Sequence, residues 1–117
     1  MHLNFNDFEV TVMKNMRGGK NEVYIRKSPY LLDNMKMYAQ ITIPSGASIG
    51  MHAHTEDEEV ITVIKGEGLL RINDDSFVIK QGDISLTKKN HYHSIENNNE
   101  EDLILLAVIN YLKEENL

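Results

Sequence analysis

The chain has 117 residues, 41% of them hydrophobic and 26% charged, with a formal net charge of -6; this is the profile of one globular domain with a single core. The acidic balance, with Lys and Arg scattered rather than striped, excludes a surface that reads a nucleic-acid backbone, and the absence of cysteine leaves imidazole and carboxylate as the groups on which any metal must rest. No apolar run approaches the roughly 18 residues of a membrane span and no basic-then-apolar leader opens the chain, so a cytoplasmic protein without a membrane partner is expected.

Residues 1–20 show no regular alternation and end at Gly18-Gly19, which reads as an N-terminal arm. A domain over 21–113 and a short tail at 114–117 follow. Strands are expected near 22–27, 36–44, 48–54, 59–65, 68–73, 76–80, 83–87, 92–97 and 102–112. Between them lie the turn signals Pro44-Ser45-Gly46, Gly66-Glu67-Gly68, Asn73-Asp74-Asp75, Gln81-Gly82-Asp83 and Asn97-Asn98-Asn99-Glu100. Many short strands at near-regular spacing predict an all-β antiparallel sandwich or barrel. In the second of these strands Met37, Ala39, Ile41 and Ile43 alternate with Tyr38, Gln40 and Thr42, so one of the two sets lines the interior.

His52 and His54 sit two residues apart, on one face of a strand, where they can share an ion. Glu59 is an odd number of positions further on and would face away if one straight strand ran through. Thr55-Glu56-Asp57-Glu58 is polar and turn-like, and reads as a break that lets the chain re-enter with Glu59 inward. Val60–Ile64 is then a dense β-branched run that ends at a hairpin at Gly66. Beyond Gly82-Asp83 comes the polar connection Lys88-Lys89-Asn90, after which His93 opens a further strand and supplies a fourth ligand candidate.

Gly46, His52, His54, Glu59 and Gly66, followed by Gly82, His93 and Asn97, resemble the two motifs of the cupin superfamily, and among its members the chain is similar to short single-domain bacterial cupins. The second motif departs at Lys88 and Asn90, where the family usually has Pro and Gly; Asn tolerates the positive φ that Gly provides. The likeness spans roughly residues 36 to 110 and implies a double-stranded β-helix, a jelly-roll barrel, with His52, His54, Glu59 and His93 as metal ligands. It selects Glu59 over Glu56, Asp57 and Glu58 through the gap to Gly66, leaving those three as a solvated acidic turn. It also implies a homodimer in which the arm pairs with a second subunit.

Three neutral imidazoles and a carboxylate give a divalent cation a site of net charge about +1, with donors suited to Fe, Mn, Ni, Co, Cu or Zn and unsuited to Ca or Mg. An octahedral ion with four protein ligands keeps two positions open, as a catalytic site requires. The expected function is a metal-dependent enzyme acting on a small oxygenated molecule, as a dioxygenase, isomerase or decarboxylase. The alternative is a non-catalytic module that binds or senses a sugar or small acid, favoured by the lack of a clear general acid or base beyond the ligands. His91, two before His93, is a candidate acid behind the ligands or an alternative ligand, but reads better as a residue of the barrel mouth or of the solvent-facing surface. Asn97 is accounted for by turn chemistry, and Arg26 and Arg71 read as surface ion-pair partners rather than anion clamps.

Overall fold

The computed structural model describes residues 1–113; the tail expected at 114–117 lies outside the described residues. The described residues form ten strands and two single 3-10 turns. The strands are β1 (Val10–Lys14), β2 (Glu22–Lys27), β3 (Met35–Ile43), β4 (Ser48–Ala53), β5 (Asp57–Lys65), β6 (Glu67–Ile72), β7 (Asp75–Lys80), β8 (Ile84–Thr87), β9 (Tyr92–Glu96) and β10 (Leu103–Tyr111). They form a six-stranded sheet in the order β1-β2-β3-β10-β5-β8 and a four-stranded sheet in the order β4-β9-β6-β7, with every pairing antiparallel. The all-β jelly roll expected from the sequence is the fold observed.

Period-two patterning builds the core. Val23 and Ile25 of β2, Ala39, Ile41 and Ile43 of β3, Ile61 and Val63 of β5, and Leu103, Leu105 and Ala107 of β10 are buried on the inner face of the larger sheet. Ile49, Leu70, Ile79 and Ile95 meet them from the smaller one. Burying such a side chain contributes roughly 1.5–3 kcal/mol, so this double layer carries the stability of the domain. The apolar set Met37, Ala39, Ile41 and Ile43 is the one that faces inward.

Nine of the ten strands lie where the sequence places them, within two residues at each end. The addition is β1, inside the arm, which pairs with β2 from Val10 opposite Arg26 to Lys14 opposite Glu22. All five of its residues are exposed, so no buried face marks it in the sequence. Arg26 ties the arm down, its guanidinium donating to the carbonyl of Phe8 at 2.7 Å, and Phe5 packs on Tyr38 with ring centroids 5.3 Å apart. Among the described residues no helix is long and apolar enough to cross a membrane.

One end of the barrel is a closed seam. Gly66 turns the β5–β6 hairpin at φ +87, with its α-carbon against the Asp102 carbonyl where a Cβ would collide. Asn97 is fully buried; its amide donates to the carbonyls of Ile43 at 2.8 Å and Glu101 at 2.7 Å, and its Oδ1 accepts from the Asn99 amide at 2.9 Å. Asn97 is thus more than a turn residue, because it stitches three chain segments together at the end of the barrel away from the histidines.

Candidate metal centre

Two local features aim the four candidate side chains inward. On β4, Ile49 pairs with Ile95 and His52 with His93, so β4 advances three residues while β9 advances two. This bulge resets the alternation and lets both Ile49 and His52 face the interior, which strict period two would forbid. On β5, Asp57, Glu59, Ile61 and Val63 are the buried alternate residues, so Glu59 continues the inner face of the core. The break in the chain therefore lies at His54–Glu56, shorter than the Thr55–Glu58 turn expected from sequence, and Asp57 already belongs to the strand.

The ligand atoms converge. One donor atom from each of His52, His54, Glu59 and His93 lies within 4.8 Å of every other. His93 Nε2 is 3.1 Å from both His52 Nε2 and His54 Nε2, and Glu59 Oε1 is 3.0 Å from His93 Nε2 and 3.3 Å from His54 Nε2. Adjacent ligands on an ion with bonds of about 2.1 Å stand about 3 Å apart, so this donor set fits a divalent first-row metal.

The opposite edge of each imidazole is engaged. His52 Nδ1 donates to the Gly50 carbonyl at 2.8 Å, and His54 Nδ1 donates to Asp57 Oδ1 at 2.6 Å. His93 Nδ1 pairs with the Thr87 hydroxyl at 2.8 Å. Such partners fix ring orientation and tautomer, leaving Nε2 for the common centre. Asp57 is in turn held by Lys36, whose ammonium lies 2.8 Å from Oδ2.

Electrostatics follow from this packing. Burial pushes the His52 imidazole below its usual value, and the neighbouring His93, His54 and Arg17 push the same way. The hydrogen bond to Glu59 raises His54 against the cost of burial, with Asp57 adding to the rise. Burial alone would raise Glu59, but hydrogen bonds from His54 and His93 outweigh it and bring the carboxyl down to about 2.

The group sits in the wall of a cavity of about 520 Å³ between the sheets, lined also by Met16, Arg17, Lys27, Met37, Ile41 and Glu56. His91 is not part of the group: it precedes β9, its ring accepts from Asn73 Nδ2 at 3.3 Å, and its carbonyl accepts the His54 amide at 3.1 Å. Asn90, in the place the family gives to Gly, adopts φ 67, and its amide donates to the His54 carbonyl at 2.6 Å. Arg71 pairs with Glu96 at 3.6 Å on the surface, as expected. Arg26 holds backbone carbonyls of the arm rather than a carboxylate.

Sequence reasoning missed Asp57, reading it as part of a solvated turn. Counting back two residues from an inward Glu59 would have found it. Thr87 was legible as the inner-face partner of Glu59 only once the β5–β8 register was known, and Lys36 and Arg17 carried no local signal at all.

The comparisons agree with this geometry. A family model described as the cupin domain matches residues 39–109. The chain is 36% identical over 100 residues to a protein of Thermotoga maritima named oxalate-binding protein, covering 83% of each chain. It superposes with a TM-score of 0.90 and 33% identity on the crystal structure of a predicted oxalate decarboxylase from Thermotoga maritima, over 96% of this chain and 100% of the other. The cupin domain of Cnp3 from Schizosaccharomyces pombe, at 13% identity, shares the fold with a TM-score of 0.73 over 89% of this chain and 70% of its own. A barrel of this topology, a four-donor centre on its inner wall and a family match across most of its strands together place the chain in the cupin family.

Proposed function

We propose that this protein binds a small carboxylate through a divalent transition metal ion held by His52, His54, Glu59 and His93. The observation that carries the reading is that all three imidazoles have their Nδ1 edge engaged while their Nε2 atoms gather with Glu59 Oε1 at the wall of a cavity. Such an ion is a Lewis acid with open positions for oxygen ligands, and the charge of about +1 at the centre favours an anion. The name of the Thermotoga maritima relative, an oxalate-binding protein, supports a carboxylate as the ligand class.

Binding is favoured over turnover by the engagement of the nearby acid. Asp57, two residues from Glu59, is already occupied by His54 and Lys36 and has no proton to offer. A second reading, decarboxylation or another conversion of the same ligand, draws on Glu56, a carboxylate in the cavity wall with no partner among the described residues. Elemental analysis of protein purified without a nickel column, followed by calorimetric titration with oxalate, tests the first reading. One equivalent of a first-row metal and metal-dependent heat are expected, and a metal-free protein that stays so after loading would overturn it. Release of carbon dioxide by wild type but not by Glu56→Gln would establish the second.

The reading includes a homodimer. Leu86 lies opposite Val60, Val60 opposite Val108, and Val108 opposite Tyr38, giving an apolar row across the outer face of the six-stranded sheet. Leu86 is exposed within it, and Ile64 and Ile84 are exposed beside it. A patch of this kind suits burial against a second copy.

A further inference from the structure

Resting on the carboxylate reading, we propose that Arg17 determines specificity: its guanidinium receives the second negative charge of a dicarboxylate bound at the metal centre. Three observations lead there. Arg17 lines the same cavity as the four ligands. It forms no hydrogen bond or ion pair with another described residue, whereas Lys36, also in the cavity wall, is neutralised by Asp57. Its backbone is left-handed, at φ 55 and ψ 31.

The backbone observation is the most telling. A long-chain residue adopts this conformation at a cost in energy that Gly avoids, and strain of this kind persists where the surroundings impose it and the side chain has use there. The surroundings here are well defined. The Arg17 carbonyl rests against Gly50, and Gly19 rests against the Ser48 carbonyl, each contact possible only without a Cβ. Ser48 and Lys20 exchange hydrogen bonds of 2.9 and 2.8 Å, and the Asn15 amide donates to the Asn21 carbonyl at 2.9 Å to close the loop. The turn is thereby clamped to β4 two residues before His52. Gly would give this loop its shape at lower cost; Arg there keeps an exposed cation at the rim of the cavity.

Charge counting gives the consequence. A monocarboxylate balances a centre of about +1, but a dicarboxylate leaves about one negative charge in a partly enclosed cavity. A guanidinium meets a carboxylate with a two-pronged hydrogen-bond geometry and keeps its charge at any working pH. Arg17 thus acts on the second charge and leaves the first to the metal.

The test uses Co(II)-loaded protein and calorimetric titration with oxalate and with acetate. Arg17→Met is expected to weaken oxalate by about tenfold or more and acetate by less than about twofold, with Co(II) affinity unchanged. Lys27→Met, the control from the same cavity, leaves the oxalate-to-acetate ratio intact. Arg17→Gly gives the same loss as Arg17→Met with a higher melting temperature, and keeps the test open should Arg17→Met fold poorly. An unchanged ratio in both Arg17 variants overturns the assignment while leaving carboxylate binding in place. If loaded wild type takes neither anion, the carboxylate reading and the role of Arg17 fall together.

Discussion

His54 Nδ1 and Asp57 Oδ1 lie 2.6 Å apart, both buried, at the point where the chain leaves β4 and enters β5. The carboxylate orients the ring and makes its far nitrogen a stronger donor. Asp57→Asn is therefore expected to lower metal affinity by about 10- to 100-fold while the barrel stays folded. Competition with a chelator of known strength measures the change, and an unaltered affinity would reduce Asp57 to a partner of Lys36 alone.

The ligands themselves are expected to be separable from the fold. His52→Ala removes one donor from a centre whose surrounding core consists of strand residues, so metal content drops sharply while circular dichroism keeps its β signature. Unfolding of this variant under metal-replete conditions would mean that the ion is structural.

Acid stability follows from Glu59. Its folded carboxyl, lowered from 4.5 to about 2, binds fewer protons than the unfolded chain does in that range. The stability it contributes is complete above pH 4.5 and is lost as pH falls towards 2, with Asp57, also lowered, acting in the same direction. His54 has the opposite sign: its raised value stabilises the metal-free fold below pH 6.5, and this gain is lost as pH rises through the raised value. Urea melts of metal-free protein across pH 2–5 are expected to show a falling limb that Glu59→Gln flattens. A limb of equal slope in the variant would place the acid lability elsewhere.

Metal uptake carries its own pH dependence. His54 must surrender its proton before its Nε2 can bind an ion, so affinity is expected to weaken as pH falls through its raised value. Titrations in buffers of different ionisation enthalpy would report proton release, and affinity that holds constant down to pH 4 would exclude these ligands.

Asn97 and Leu86 isolate two further roles. Asn97→Ala strips two donors and one acceptor from a fully buried seam and is expected to cost about 2–4 kcal/mol in urea unfolding with metal stoichiometry intact. Leu86→Glu puts charge in the exposed apolar row and is expected to shift the protein from dimer to monomer in light scattering. A wild type that is already monomeric at all concentrations would contradict the homodimer.

Much of this was legible in the sequence, for an identifiable reason. Inner-face alternation such as Ala39, Ile41 and Ile43 reports directly on a half-buried strand, and Gly66 and Asn97 mark places where the backbone has few other options. The arm was opaque because Val10, Thr11, Val12 and Met13 have no buried side to alternate against. A break between His52 and Glu59 was expected and is present, but it was drawn too long, which hid Asp57. Contacts such as Lys36 with Asp57 join residues 21 apart and depend on sheet register, which local pattern does not encode.

The bulge on β4 makes the centre more sensitive to chain length than to composition. Deleting Met51 would equalise the count between Ile49–His52 and Ile95–His93, straightening the ladder with His52 still inward. The Gly50 carbonyl, now returned to ordinary strand geometry, would no longer be offered to the His52 ring, and the loop clamped against Gly50 would lose its seat. A shortened β4 of this kind makes a tidier sheet and a poorer chelator, so the surplus residue is where the barrel trades regularity for chemistry.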